Sequence, residues 1–181
     1  MRKVLFLFGQ LNDDDVEWMI KTGRRRPLAQ GETLIRQGVP VDALFFLLEG
    51  RLSVLLGRQE REIARLNTGE IVGEMSFVDA RPPSATVRGL EDAIVFAIPK
   101  TVLQAKLERD AGFAARFYRA LAIYLSTTVR ERHRMLGVGG EVDLDEAQDQ
   151  DDADELDPNV LDGVYLAGER FDRMVKRVLA A

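Results

Sequence analysis

The chain has 181 residues, enough for one domain with appendages that buries its own core. It has no cysteine, which excludes disulfides and thiolate metal sites, and a single histidine, His133, too few imidazoles for a catalytic metal. Net charge is −5, but residues 141–157 hold ten acids and no Lys or Arg, which leaves +5 on the rest.

The start, MRKVLFLFGQL, has a basic edge and a short apolar run, Val4 to Phe8, with no small-residue cleavage site after it. It reads as a β-strand or a packing arm. Asn12 followed by three aspartates and then Val16, Trp18, Met19 and Ile20 predicts a capped helix ending at Gly23. Trp18 is expected to anchor that helix to the barrel. Together these make an N-terminal arm and helix over residues 1–23.

From residue 24 the pattern changes to short apolar runs separated by glycine. Leu34–Ile35, Leu44–Leu48, Leu52–Leu56, Glu60–Leu66, Val87 and Ala93–Ile98 are candidate strands. Many short strands without intervening helices predict a β-barrel or sandwich. The run Leu44 to Leu48 is apolar on both faces, so it should be central. Pro99 fits the first position of a helix over Lys100–Arg109, with Val102, Leu103 and Leu107 on one side. Asp110 caps a longer helix, from about Ala111 to Leu136, that Gly137 stops. Its stripe is Phe113, Phe117, Leu121, Tyr124 and Thr128, widened by Ala114, Tyr118, Leu125 and Val129. Part of that stripe should cover the barrel and part can form a seam with a second copy. The basic residues Arg130, Arg132, His133 and Arg134 suit the negative end of the helix dipole without any partner.

Residues 137–157 read as an acidic flexible linker, since like charges extend the chain and little apolar surface is available. Residues 158–181 then form an amphipathic helix to about Leu179, with Val160, Val164, Phe171, Val175 and Val178 in a stripe that Leu161, Tyr165, Met174 and Leu179 broaden. Such a helix must dock on its own domain, on a dimer partner or on another protein. No stretch approaches membrane-spanning length, and the expected location is the cytoplasm.

The most informative stretch is Gly69 to Val87, GEIVGEMSFVDARPPSATV. The pair Gly69-Glu70 recurs as Gly73-Glu74, an apolar turn follows, and Pro82-Pro83 leads into Ser84-Ala85-Thr86. Glycine permits close approach of backbone to a ligand, and small side chains leave the N–H groups of Ser84 and Ala85 open to an anion. A carboxylate at Glu74 can accept from sugar hydroxyls.

With GETLIRQG at Gly31–Gly38 and DALFFLLEG at Asp42–Gly50, residues 25–135 resemble the cyclic nucleotide-binding domain family, of the type in the catabolite activator protein and the regulatory subunits of cyclic-nucleotide-dependent kinases. The resemblance implies a mainly β fold with flanking helices: a double-sheet jelly-roll barrel over residues 24–136, closed by a long helix. It implies ribose contacts from Gly73 and Glu74, phosphate contacts from Ser84, Ala85 and Thr86, and cyclic AMP or cyclic GMP as the ligand rather than any cofactor. It also implies a homodimer through the helix 111–136. One position departs from the family: Pro83 stands where the phosphate-binding arginine is expected. Proline offers neither charge nor N–H, and a lost charge partner typically costs about 2–5 kcal/mol. Arg81, two residues earlier, is a candidate substitute.

The expected function is a non-enzymatic sensor in which a barrel ligand is coupled to the long helix and the tail. The alternative is a ligand-independent interaction module with a degenerate site. A transcription regulator is disfavoured, because an acidic run stands where such proteins carry a helix-turn-helix, and phosphate backbones repel it.

Overall fold

A computed structural model describes residues 4–79, 81–135 and 158–180. The acidic linker, the helix stop at Gly137 and the side chains of Arg132, His133, Arg134, Val160, Leu161 and Val164 lie outside the described residues.

Two helices open the described chain, α1 (Val4–Gln10) and α2 (Asp13–Thr22). The segment Val4–Phe8 is therefore a helix: of the two expected readings, strand or packing arm, the strand does not form and the run packs against the domain. A short apolar run fits either state, but Val4, Leu7, Phe8 and Leu11, at helical spacing, are all buried and drive the helix. Asn12 caps α2 as predicted: its side chain accepts from the Asp15 N–H at 2.8 Å, and Asp15 accepts in return from the Asn12 N–H at 3.0 Å. Trp18 packs edge-on against Phe113 of the long helix at 5.4 Å and joins the apolar cluster that the helices share with β3, β6 and β8.

Eight strands follow: β1 (Arg24–Leu28), β2 (Thr33–Ile35), β3 (Ala43–Glu49), β4 (Arg51–Leu56), β5 (Arg61–Asn67), β6 (Ile71–Val72), β7 (Thr86–Gly89) and β8 (Ala93–Pro99). They form two four-stranded antiparallel sheets, ordered β1-β8-β3-β6 and β2-β7-β4-β5. This is the jelly-roll arrangement expected from the short, glycine-punctuated runs. A short helix, α3 (Glu74–Val78), interrupts the strands. The helices α4 (Lys100–Arg109), α5 (Ala111–Met135) and α6 (Pro158–Leu179) complete the chain. Pro99 ends β8 and precedes α4, one position earlier than predicted, and Val102 is largely exposed while Leu103 and Leu107 are buried.

Strand β3 separates two apolar layers. Leu44, Phe46 and Leu48 face α1, α2, α4, α5 and α6, whereas Ala43, Phe45 and Leu47 face the second sheet. Burial on both faces explains the unbroken apolar run, and each fully buried Leu or Phe contributes about 1.5–3 kcal/mol. On α5, Phe113, Phe117, Leu121 and Tyr124 are buried as the stripe predicts. Asp110 accepts from the Phe113 N–H at 2.8 Å and so caps α5.

Of the three homes open to the terminal helix, the structure shows the first: α6 returns to its own domain, against α1 and α2. Ala167, Phe171, Met174 and Val178 are buried there, and Phe171 meets Phe8 at 6.0 Å. Arg170 donates to the carbonyls of Phe8 (3.0 Å) and Leu11 (2.7 Å) and to Asp13 (2.9 Å). A cation is thus held on the carbonyl end of α1, where the helix dipole favours it. Arg173 adds a bond to Asp13 at 2.8 Å, and Arg177 pairs with Glu17. Bonds from Arg170 and Arg173 hold Asp13 below the usual carboxylate range, and Arg177 does the same for Glu17.

Candidate functional site

The segment from Gly69 to Val87 leads from β6 in one sheet, through α3, to β7 in the other. Its opening turn is held on two sides: Gly69 N–H donates to Leu47 O at 2.8 Å, and Gly69 O accepts from Val4 N–H at 2.8 Å. Strand β6 then pairs with β3, and Tyr124 of α5 reaches Ile71 O in a long hydrogen bond of 3.4 Å. The first described residue of α1 and the middle of α5 therefore both touch the backbone that leads into Gly73.

Gly73 caps α3 with φ 93°, a left-handed backbone that side chains rarely adopt. A Cβ there would also stand 3.0 Å from Ala43 O and 3.2 Å from Val41 Cγ1. Both the turn and the close packing demand glycine. Glu74 begins α3 and is half-buried. Met75 and Val78 of the same helix are exposed.

Past α3, Arg81 lies on the surface with 85% of its side chain exposed. Its N–H donates to Asp79 at 3.0 Å and its guanidinium stands 3.8 Å from the same carboxylate. Pro83 is half-buried, Ser84 exposed, and Ala85 and Thr86 half-buried. The paired ladder of β7 starts at Thr86, opposite Leu55, so Ser84 and Ala85 precede it.

The small-residue run is stitched to a second loop that the sequence reading quoted without giving it a role. Gly38 N–H donates to Pro83 O at 2.9 Å, and Gln37 N–H donates to Thr86 Oγ1 at 3.1 Å. Gln37 Oε1 in turn accepts from Gly57 N–H at 3.1 Å. The β2–β3 loop thus forms the facing wall. Beside it lies a solvent-open cleft of about 200 Å³, lined by Thr33 to Arg36, Val39 to Asp42 and Phe45. None of Gly73, Glu74, Arg81, Ser84, Ala85 or Thr86 lines that cleft. Gly73 adjoins it, since Val41 and Ile35, two of its lining residues, are among the nearest atoms to a Cβ there. The signal that marked this wall was available in the sequence as Gln37-Gly38, and Gly38 has φ 77°.

A family model described as a cyclic nucleotide-binding domain matches residues 25–110. Those residues belong to the cyclic nucleotide-binding domain family. The cyclic AMP receptor protein of Thermus thermophilus is 34% identical over 95 residues, 51% of this chain and 44% of that protein. The crystal structure of the catabolite activator protein of Thermus thermophilus superposes with a TM-score of 0.59 at 29% identity, covering 73% of this chain and 62% of that one. A cAMP-dependent protein kinase regulatory subunit of Blastocladiella emersonii is 24% identical over 137 residues, 72% of this chain and 34% of that protein. The chain spans less than half the length of these curated relatives. Among the described residues, no helix is long and apolar enough to cross a membrane.

Proposed function

We propose that the protein is a non-enzymatic, cytoplasmic regulatory sensor that binds a cyclic nucleotide at its Gly69–Val87 segment. The reading rests on one observation above all. Gly73, fixed in a left-handed conformation, presents Glu74 from α3, and the run Ser84–Thr86 is held opposite the β2–β3 loop. In this reading Gly73 and Glu74 hold the ribose. The N–H groups of Ser84 and Ala85, with the hydroxyls of Ser84 and Thr86, hold the phosphate. Thr86 Oγ1 already accepts from Gln37, so its own proton remains to be donated. Coupling runs through the hydrogen bonds of Tyr124 to Ile71 and of Val4 to Gly69, which carry a movement of the binding segment to α5 and α1. Calorimetric titration of the full chain with cyclic AMP, cyclic GMP and cyclic di-GMP tests the proposal. Binding of one of them at tens of micromolar or tighter supports it, and no heat from any of the three removes cyclic nucleotides.

Pro83 favours a second reading, an interaction module whose nucleotide site has decayed. Pro83→Arg keeps the carbonyl that Gly38 uses and restores the charge. Binding that appears only in that variant assigns the natural protein to this class. Either reading includes a homodimer through residues 111–136. Tyr118, Ala122, Leu125 and Val129 recur at steps of four, three and four on α5, and all but Leu125 are exposed. Sedimentation of Val129→Glu as a monomer, against a wild-type dimer, tests the seam. On α6, Tyr165 and Leu166 stay exposed after docking and are the surface a protein partner of the tail would meet. DNA is no part of this reading, because the segment after α5 carries an acidic run that phosphate backbones repel.

A further inference from the structure

The cleft beside Gly73 has an apolar floor of Leu34, Ile35, Val41 and Phe45, and its polar side chains are Thr33, Arg36 and Asp42. Resting on the nucleotide-binding reading above, we infer that Arg36 supplies the cation that the family's cassette would carry at Pro83, and that it binds the phosphate of a singly charged phosphodiester. Three observations lead there. Arg36 is exposed and lines the cleft; its carbonyl accepts from Val39 N–H at 3.1 Å, while its guanidinium forms no ion pair or hydrogen bond among the described residues. Neighbouring arginines on this side are committed: Arg88 clasps Glu60 at 2.6 and 2.8 Å, Arg65 bonds Glu62 at 2.7 Å, and Arg81 turns to Asp79. Arg36 acts on Glu60 only as a more remote charge, behind the direct bonds from Arg88.

The second observation is placement. Gln37 and Gly38, the two residues after Arg36, are the ones bonded to Thr86 and Pro83. The backbone of Arg36 is therefore carried on the wall that faces the small-residue run. A guanidinium at that place can offer a phosphate two parallel N–H donors, which the proline cannot.

The third concerns ligand class. Asp42 lines the same cleft, and Glu74 stands at the adjoining helix start. Two carboxylates beside one arginine disfavour a polyphosphate and leave a phosphodiester with hydroxyls, which carboxylates can accept from. Arg81, the substitute suggested by sequence proximity, is directed at Asp79 on the surface.

The test is the affinity of the full chain for cyclic AMP in the wild type, Arg36→Gln, Arg36→Lys and Arg81→Gln, each at low and high salt. Arg36→Gln is expected to weaken binding about 10- to 100-fold and to flatten its salt dependence, Arg36→Lys to lose less, and Arg81→Gln to stay within about twofold. Unchanged melting temperatures keep the comparison free of folding effects, as suits an exposed side chain. Wild-type binding that Arg36→Gln leaves intact overturns this inference alone, as does a loss seen in Arg81→Gln instead. A wild-type chain that binds no cyclic nucleotide overturns it together with the proposed function.

Discussion

Where α6 lies across α1 and α2, Phe171 is buried against Phe8, Arg170 fills the carbonyl end of α1, and Asp13 takes two arginines. Where Gly69 to Val87 turns, Met75 and Val78 face solvent, Ser84 is exposed, and two hydrogen bonds from Gln37 and Gly38 hold the run in place. Both regions adjoin strand β6 or β3, yet one is knitted by side chains and the other by backbone. On the proposed function the second region admits a ligand and cannot fill itself with its own side chains, so its shape depends on glycine geometry and main-chain bonds. A surface that only holds the chain together can use everything available.

That contrast can be broken by substitutions, the heaviest on the helical side. Phe171→Ala should cost about 3–5 kcal/mol of unfolding free energy, read from urea denaturation, because the ring leaves a cavity against Phe8. A cost below about 1 kcal/mol would mean that α6 rests on the domain without stabilising it. Arg170→Ala strands the Phe8 and Leu11 carbonyls and should cost about 1.5–3 kcal/mol in the same assay.

Acid should weaken the same contact more gently. The carboxyls of Asp13 and Glu17 titrate below their ordinary values of 3.8 and 4.5 because arginine bonds favour the ionised form. Their contribution is therefore complete above those ordinary values and disappears as pH falls through the lower folded ones. The urea midpoint of wild type should exceed that of a double variant, Asp13→Asn with Glu17→Gln, at neutral pH and converge with it in strong acid. A difference that persists in acid would assign the contact to packing alone. Smallest in stability is Ser84→Ala, which should shift unfolding by less than about 0.5 kcal/mol. The same change should still weaken cyclic nucleotide binding, and a variant that binds as well as wild type removes Ser84 from the phosphate site.

Much of the architecture could be read from residue order. The double-faced apolar run at Leu44–Leu48, the asparagine cap before α2, and the start of α5 after Asp110 follow from local rules, and the structure agrees with them. The helix over Val4–Gln10 did not follow, since seven residues suit either period and only their burial against distant partners decides. The apolar stripe of α6 was plain, but its address was not. Nothing near Arg170 announces that it will meet carbonyls some 160 positions earlier. At the candidate site the glycine pair and the small residues stood out because their roles are local. Arg36 did not, because what matters is that its loop lies against a segment 45 or more residues away, bonded through Gln37 and Gly38.

The bond between Val4 and Gly69 has a wider consequence. One amide joins the helix that the tail grips to the turn that opens the Gly69–Val87 segment, so both share a single clasp. Should occupancy by a small molecule tighten that clasp, the tail must be held more firmly too. By the same thermodynamic cycle, a protein that peels α6 away would loosen the grip on the small molecule by an equal factor.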